Sequence, residues 1–134
     1  MMKSQALSAE RAFALDYATE IERIAGKLRH ALTHELSRRG LVVAISGGID
    51  SSVSAALAVR AVGPKRVYGL LLPERVSSPQ STHRGRLLAE HLGIEYEIFD
   101  IAPALEALGC YARVDEVCKA VHAGYGAGWK NKIV

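Results

Sequence analysis

The stretch LVVAISGGIDSSV, residues 41–53, decides the fold. Leu41, Val42, Val43, Ala44 and Ile45 are apolar without alternation, the pattern of a strand buried on both faces of a parallel sheet, and so a central one. Ser46, Gly47 and Gly48 interrupt the run. From Ser51 to Val62 the residues Val53, Ala56, Leu57 and Val59 recur at helical spacing, and Gly63 with Pro64 stops the helix. Strand, glycine turn and helix are therefore contiguous, the opening unit of an α/β fold.

The unit repeats further along the chain. Val67 to Leu72 reads as a second strand ending at Pro73, and the loop Ser77, Ser78, Pro79, Gln80, Ser81 leads into a helix from Thr82 to Leu92, closed by Gly93. Ile94 to Ile101 reads as a third strand. Its Ile94, Tyr96 and Ile98 alternate with Glu95 and Glu97, which suits a sheet edge. A strand order 3-2-1 follows, with the first strand central. Ahead of the sheet, Phe13, Tyr17, Ile21, Ile24, Leu28, Leu32 and Leu36 form one stripe, predicting a continuous helix from Ser8, its cap, to Arg39. Gly40 is placed to take the left-handed stop, and Gly26 marks a potential bend. Past Ile101 the pattern is weaker: a helical turn over Pro103 to Leu108, a short helix over Val114 to Val121, and three glycines at 124, 126 and 128.

At 134 residues, with 49% apolar and 23% charged, the chain has the size and composition of one domain able to bury about two thirds of its unfolded surface. Disordered and fibrous classes are excluded. The apolar runs fall far short of a membrane span, and no secretory pattern opens the sequence, so a cytoplasmic protein without membrane contact is expected. Cys110 and Cys118 have no second pair and read as thiols rather than as zinc ligands or a disulfide framework. A net charge of +3 and 6% aromatic residues point to neither a nucleic-acid platform nor a base-stacking surface.

The chemistry is concentrated in Ser46-Gly47-Gly48-Ile49-Asp50-Ser51-Ser52, at the strand end where open α/β sheets bind ligands. Adjacent glycines let backbone approach a ligand, three serines offer hydroxyls, and a helix N-terminus offers N–H groups and positive dipole. Such a nest suits phosphate. Asp50 fits beside phosphate when a divalent cation lies between them. The alternative is structural: Gly47-Gly48 makes a tight turn and Asp50 caps the helix after it. No Walker-type G-x-x-x-x-G-K-[ST] is present, and the glycines at 124–128 precede no clear helix.

SGGIDSS after an apolar strand resembles the pyrophosphate-binding loop of the N-type ATP pyrophosphatases, which cleave ATP to AMP and pyrophosphate while adenylating a substrate. Within that group the chain is similar to the NAD synthases, through the preceding helix, GLLLPERVSSPQS after the second strand, and LLAEHLGIEYEIFDI around the third. The resemblance spans about Asp16 to Leu108. It implies a doubly wound α/β domain in which Ala44, Ile45, Ser46, Gly47, Gly48, Ile49, Asp50, Ser51 and Ser52 hold ATP, with Leu72 and its neighbours from Leu70 bordering adenine. It also implies Mg2+ on Asp50 and a homodimer.

The chain departs from the family in two places. Arg84-Gly85 stands where NAD synthases usually carry Asp-Ala, and nothing after Ile101 matches the arginine-containing and Gly-Asp segments that hold the dinucleotide and a second magnesium ligand, so an incomplete C-terminal part is expected. Gly124 to Lys132, with Trp129 and Lys130, reads as a frayed tail rather than a loop over the site. His30 and His34 lie i,i+4 without a third ligand and read as surface histidines. Cys110 has no activating neighbour in sequence and reads as an inert thiol.

The expectation is an α/β domain that binds ATP and magnesium and belongs to an ammonia-using NAD synthase, for which the resemblance implies that the carboxylate of deamido-NAD+ attacks the ATP α-phosphorus, pyrophosphate leaves, and ammonia displaces AMP. No side chain here is assigned as a general acid or base, because positioning and electrostatic stabilisation carry phosphoryl chemistry. Two alternatives stay open, another amidating or thiolating enzyme with the same loop, such as a GMP synthetase or a tRNA thiolase, and an ATP-binding module without catalysis.

Overall fold

The computed structural model describes residues 15–126, 128 and 129. Helix α1 (Tyr17–His30) leads into strand β1 (Leu41–Ala44), helix α2 (Ile49–Val62), strand β2 (Val67–Leu71), helix α3 (Pro79–Leu92), strand β3 (Glu95–Ile98) and two helices, α4 (Ala102–Ala107) and α5 (Cys110–Val121). The strands form a parallel sheet in the order β1-β2-β3, with Leu41 opposite Val67 and Tyr68 opposite Glu95. The α/β class and the 3-2-1 order are as expected. Pairing runs past the strands, since Phe99 N–H donates to the Leu71 carbonyl and Ile101 N–H to that of Pro73.

β1 is not central among the described residues; β2 is. Nor is β1 buried on both faces: Val42 is 66% exposed, whereas Leu41 and Val43 pack on the core. Two successive right-handed crossovers in one direction put α2 and α3 on the same face, where they touch each other, so only alternate residues of β1 are covered. The core lies between these helices and the sheet: Ile45, Val67, Leu71 and Ile94 meet Ala55, Ala58 and Ala89.

The first helix is shorter than its apolar stripe. Ser8, the expected cap, lies outside the described residues; Asp16 caps α1, accepting from the Ala18 and Thr19 amides at 3.1 and 3.3 Å and from the Thr19 hydroxyl at 2.6 Å. The Thr19 hydroxyl is the largest cause holding the Asp16 carboxyl below its ordinary value. At the other end, the helix widens to a π-turn over Ala31–Glu35, in which Leu36 N–H reaches back to Ala31. Thr33 donates its hydroxyl to the Arg29 carbonyl, competing with the regular ladder there. Ser37, at φ 51°, makes the left-handed stop expected of Gly40. Gly40 is needed for a different reason: a Cβ there would sit 2.7 Å from the Arg66 carbonyl oxygen.

The stripe itself is only partly used. α1 packs on α2 rather than on the sheet, so Ala25 and Leu32 are buried while Tyr17, Ile21 and Leu36 are exposed. Arg29 Nε donates to the Ala61 carbonyl at 2.8 Å and Arg60 pairs with Glu22, fastening the two helices together. Gly26 lies within α1 with no atom near its missing Cβ, and the helix continues through it. Other ends shift modestly: α3 starts at Pro79, with Ser78 as cap, and β3 keeps only Glu95 to Ile98. Pro at the first helical position and a serine before it favour this earlier start over Thr82. Among the described residues no helix is long and apolar enough to cross a membrane.

Candidate functional site

Residues 45–48 connect β1 to α2 at the C-terminal edge of the sheet. Ile45 is still tied to the sheet, its N–H donating to the Leu70 carbonyl at 2.8 Å. The chain then reverses at Gly47, whose φ of 78° belongs to the left-handed region. A Cβ on Gly47 would lie 2.2 Å from the Ser81 carbonyl oxygen, so backbone of the turn and backbone of α3 are in direct contact. Gly48 is extended (φ −92°, ψ 167°) and forms the N-cap of α2.

The serines brace this turn. Ser51 Oγ lies 3.0 Å from Ser46 Oγ, accepts from the Ser46 amide at 3.2 Å and donates to the Gly48 carbonyl at 3.1 Å. Ser52 donates to the same carbonyl at 2.7 Å, and the Gly48 amide donates to Ser46 Oγ at 3.3 Å. The hydroxyls thus hold the backbone so that the first amides of α2, which have no preceding helical carbonyl, face outward at the positive end of the helix dipole. This arrangement can take an anionic oxygen cluster such as a phosphate chain.

Asp50 is not the cap. Gly48 occupies that position and Asp50 stands in the first turn, exposed, its backbone carbonyl accepting from Ser54 Oγ at 2.9 Å. Among the described residues no donor engages its carboxylate. A free carboxylate beside an anion nest fits a magnesium ion, which keeps most of its waters and takes one or two carboxylates plus phosphate oxygens. Three or more protein ligands are not gathered anywhere among the described residues, so an ion held here depends on the phosphates it accompanies.

A cleft of about 180 Å³ opens beside the turn, lined by Ala44, Ile45, Ser46, Leu70, Leu71, Leu72, Pro73, Ser77, Ser81 and Thr82. It brings Leu72 together with Ala44, Ile45 and Ser46; Gly47 and Gly48 follow Ser46 in the turn, and Ile49, Asp50, Ser51 and Ser52 open α2, outside the cleft lining. Pro73, Ser77, Ser81 and Thr82 are additions. Their signal was the hydroxyl-rich run after the second strand, which read only as a loop. A larger hollow of about 600 Å³ lies at the opposite edge, between Arg39, Lys65, Arg66, Tyr68 and Glu95. It faces the N-terminal ends of the strands, away from every residue of the turn, and open α/β sheets bind ligands at the other end.

The Arg84-Gly85 pair now has a partial account. Arg84 is exposed, whereas Gly85 is buried where α3 crosses the sheet, and a Cβ there would come within 3.0 Å of Leu71 Cδ2 and 3.3 Å of Ile45 Cγ2. His30 and His34 are exposed with ring centroids 4.6 Å apart. Cys110 and Cys118 are half-buried thiols with no disulfide, and Cys118 engages the Tyr125 hydroxyl. Burial, ahead of that thiol, holds the Tyr125 phenol above its ordinary value. Trp129, about half exposed, has its ring 4.8 Å from that of His122 and 5.9 Å from that of Tyr125; Lys130 and Lys132 lie outside the described residues.

A parallel α/β sheet with a braced glycine–serine turn at the mouth of a cleft defines a nucleotide-binding domain of the pyrophosphate-loop kind. The sequence matches the NAD synthase family over residues 20–124, and the chain belongs to that family. It is 52% identical over 120 residues to the NH(3)-dependent NAD(+) synthetase of Rhizobium meliloti, which covers 90% of this chain and 36% of that protein. Among solved structures, the NH3-dependent NAD synthetase of Campylobacter jejuni, in complex with the nitrate ion, superposes with a TM-score of 0.64 at 28% identity, covering 73% of this chain and 42% of its own. The NMN synthetase of Francisella tularensis superposes at 0.56 with 32% identity, covering 70% and 40%. The chain thus spans little more than a third of the length of the curated relative and about two fifths of each solved chain.

Proposed function

We propose that this chain is the ATP-binding part of an ammonia-dependent NAD synthase. The observation that carries the reading is the SGGIDSS turn, braced by its own serines at the cleft mouth, in a chain of this family. Residues 1–134 act as one ATP-binding domain. Ala44, Ile45 and Ser46 meet the nucleotide at the strand end, Gly47, Gly48 and Ile49 present backbone to its phosphates, and Ser51 and Ser52 hold that backbone in place. Leu72, with Leu70, borders the adenine. Asp50 would hold the magnesium ion, whose chemistry is to neutralise charge on the phosphates as pyrophosphate departs.

In the reaction proposed, a carboxylate oxygen of deamido-NAD+ bonds to the α-phosphorus as the bond to pyrophosphate breaks. Ammonia then adds to the acyl adenylate, loses a proton and expels AMP, leaving the amide of NAD+. The residues described here bind and orient ATP, and the family relationship supports this acceptor through the curated synthetase at 52% identity. The enzyme works as a cytoplasmic homodimer in this reading.

Calorimetry with Mg-ATP tests the binding half of the proposal. Micromolar to millimolar affinity is expected, about 4 to 8 kcal/mol. Asp50→Asn should weaken it strongly in magnesium and little in its absence, without a loss of stability, since the cap is Gly48. An unchanged Mg-ATP affinity in that variant removes Asp50 from the site. NAD formation and pyrophosphate release from deamido-NAD+, ATP and ammonia test the reaction. The 134-residue chain is expected to bind without turnover, and the longer R. meliloti relative to turn over under the same conditions. Turnover by the short chain would mean that its C-terminal helices supply the acceptor site; activity with another carboxylate and none with deamido-NAD+ would move the assignment to a different amidating enzyme.

A further inference from the structure

The segment 72–78, between β2 and α3, contributes Leu72, Pro73 and Ser77 to the cleft. It has one local fastening: the Ser77 amide donates to the Glu74 carbonyl at 2.9 Å, and the Glu74 amide donates to Ser77 Oγ at 3.0 Å. Its two ends are also held, Pro73 by the Ile101 amide at 3.0 Å and Ser78 as the cap of α3, while residues 74 and 75 between them are anchored from far along the chain. Tyr111, in the first turn of α5, accepts from the Arg75 amide at 3.3 Å and donates its hydroxyl to Glu74 Oε2 at 3.0 Å. The Arg75 guanidinium lies over the Tyr111 ring at 3.9 Å from the centroid, and its other side reaches Glu106 of α4 at 3.8 Å. One phenol therefore engages backbone and side chain of consecutive residues 36 and 37 positions away.

We infer that Tyr111 is a positioning residue for the nucleotide cleft: it clamps Glu74 and Arg75 so that Pro73 and Ser77 form a fixed wall opposite Ser46. This rests on the ATP-binding reading above and extends it to α5, outside the turn. Two bonds to adjacent residues plus a stacked cation restrain the loop in position and in rotation, which a single contact does not. A wall ordered before the ligand arrives removes an ordering cost from binding. The clamp holds residues 74 and 75, which join the cleft-lining Pro73 to Ser77, and does not touch the braced turn, so its effect belongs to ligands that carry the nucleoside and not to the phosphate chain alone.

The experiment compares the 134-residue chain with Tyr111→Phe, which keeps the ring under Arg75 and loses both hydrogen bonds, and Tyr111→Leu, which loses the ring as well. Binding of Mg-ATP, AMP and pyrophosphate is measured by calorimetry, and amide exchange by mass spectrometry. Expected are a rise in Kd for ATP and AMP of about threefold in the Phe variant and about tenfold in the Leu variant, with pyrophosphate affinity unchanged. Exchange should quicken at residues 74–78 and not in α2 or β2. Equal ATP and AMP affinities in all three proteins would overturn the clamp while leaving the ATP-binding reading intact. So would pyrophosphate affinity falling with AMP, or exchange rising throughout, since Tyr111 would then serve only overall stability. A parent chain that binds none of the three ligands would overturn both.

Discussion

The two connections at the ligand edge of the sheet are built on opposite principles. The β1–α2 turn is braced mainly from within: beyond Ile45, which is tied to Leu70, it is held by Ser46, Ser51 and Ser52, all within six positions of one another. The β2–α3 connection is longer and depends on Tyr111, more than thirty positions away. On the ATP-binding reading, the difference teaches which part of the cleft is set locally and which part by remote packing. Contiguous glycines and hydroxyls make a geometry for phosphate that any protein with that turn would share, whereas the wall that completes the cleft depends on how remote helices dock. The first connection meets the start of α3, which the second leads into, at Gly47 and Ser81, backbone against backbone.

Breaking that meeting point should have the largest effect. Gly47→Ala adds a Cβ 2.2 Å from the Ser81 carbonyl at a φ of 78°, so both the space and the backbone conformation forbid it. The expected loss is about 3 kcal/mol or more, on the order of 10 °C in Tm, readable by calorimetric melting. A variant that melts like the parent would mean that the turn and the start of α3 do not abut in solution. Gly48→Val separates fold from ligand at the neighbouring position. Its backbone angles suit valine, and the nearest contact of a Cβ is Ser46 Oγ at 3.4 Å, so stability should change by less than about 1 kcal/mol. Mg-ATP binding should nevertheless be abolished, because the branched side chain stands where phosphate approaches; unchanged affinity would place the anion elsewhere.

Smaller effects are expected away from the ligand. Gly85→Ala gains about 1 kcal/mol of helix propensity and forces Leu71 and Ile45 methyl groups to give by a few tenths of an ångström. The two nearly cancel, and denaturant unfolding should show a net change within about 1 kcal/mol. A loss of several would show that Leu71 cannot move. Asp16→Asn is the mildest. The Asp16 carboxyl sits below its ordinary value because the Thr19 hydroxyl and amide favour its charged form. Its contribution is therefore present above its unfolded value near pH 4 and lost as pH falls through the lower folded one. The parent's Tm should fall relative to the variant's over that acidic interval, and parallel curves would exclude the carboxylate from the helix end.

Much of this was legible locally. Contiguous apolar residues marked β1 and β2 and alternation marked β3, Gly93 marked the left-handed stop it makes, and SGGIDSS marked the turn between β1 and α2 together with the family, because each depends on neighbours in the chain. The apolar stripe of α1 over-predicted its length and burial, since a helix resting on another helix buries a narrower face than one resting on a sheet.

What the sequence determined by itself is the set of groups that must be near one another through the backbone: the two glycines, the three serines and Asp50, whose relative positions follow from one turn and one helical start. Only the tertiary structure decided that Gly48 rather than Asp50 caps α2, because a cap is defined by where the helix begins, and the turn at Gly47 lies against the Ser81 backbone with no room for a Cβ. It likewise decided that β1 is covered on one face, since that depends on the side to which two crossovers turn. Tyr111 belongs to the same class. Nothing in its neighbourhood of sequence distinguishes it, and its bonds to Glu74 and Arg75 exist because α5 docks against a loop that the chain left behind more than thirty residues earlier.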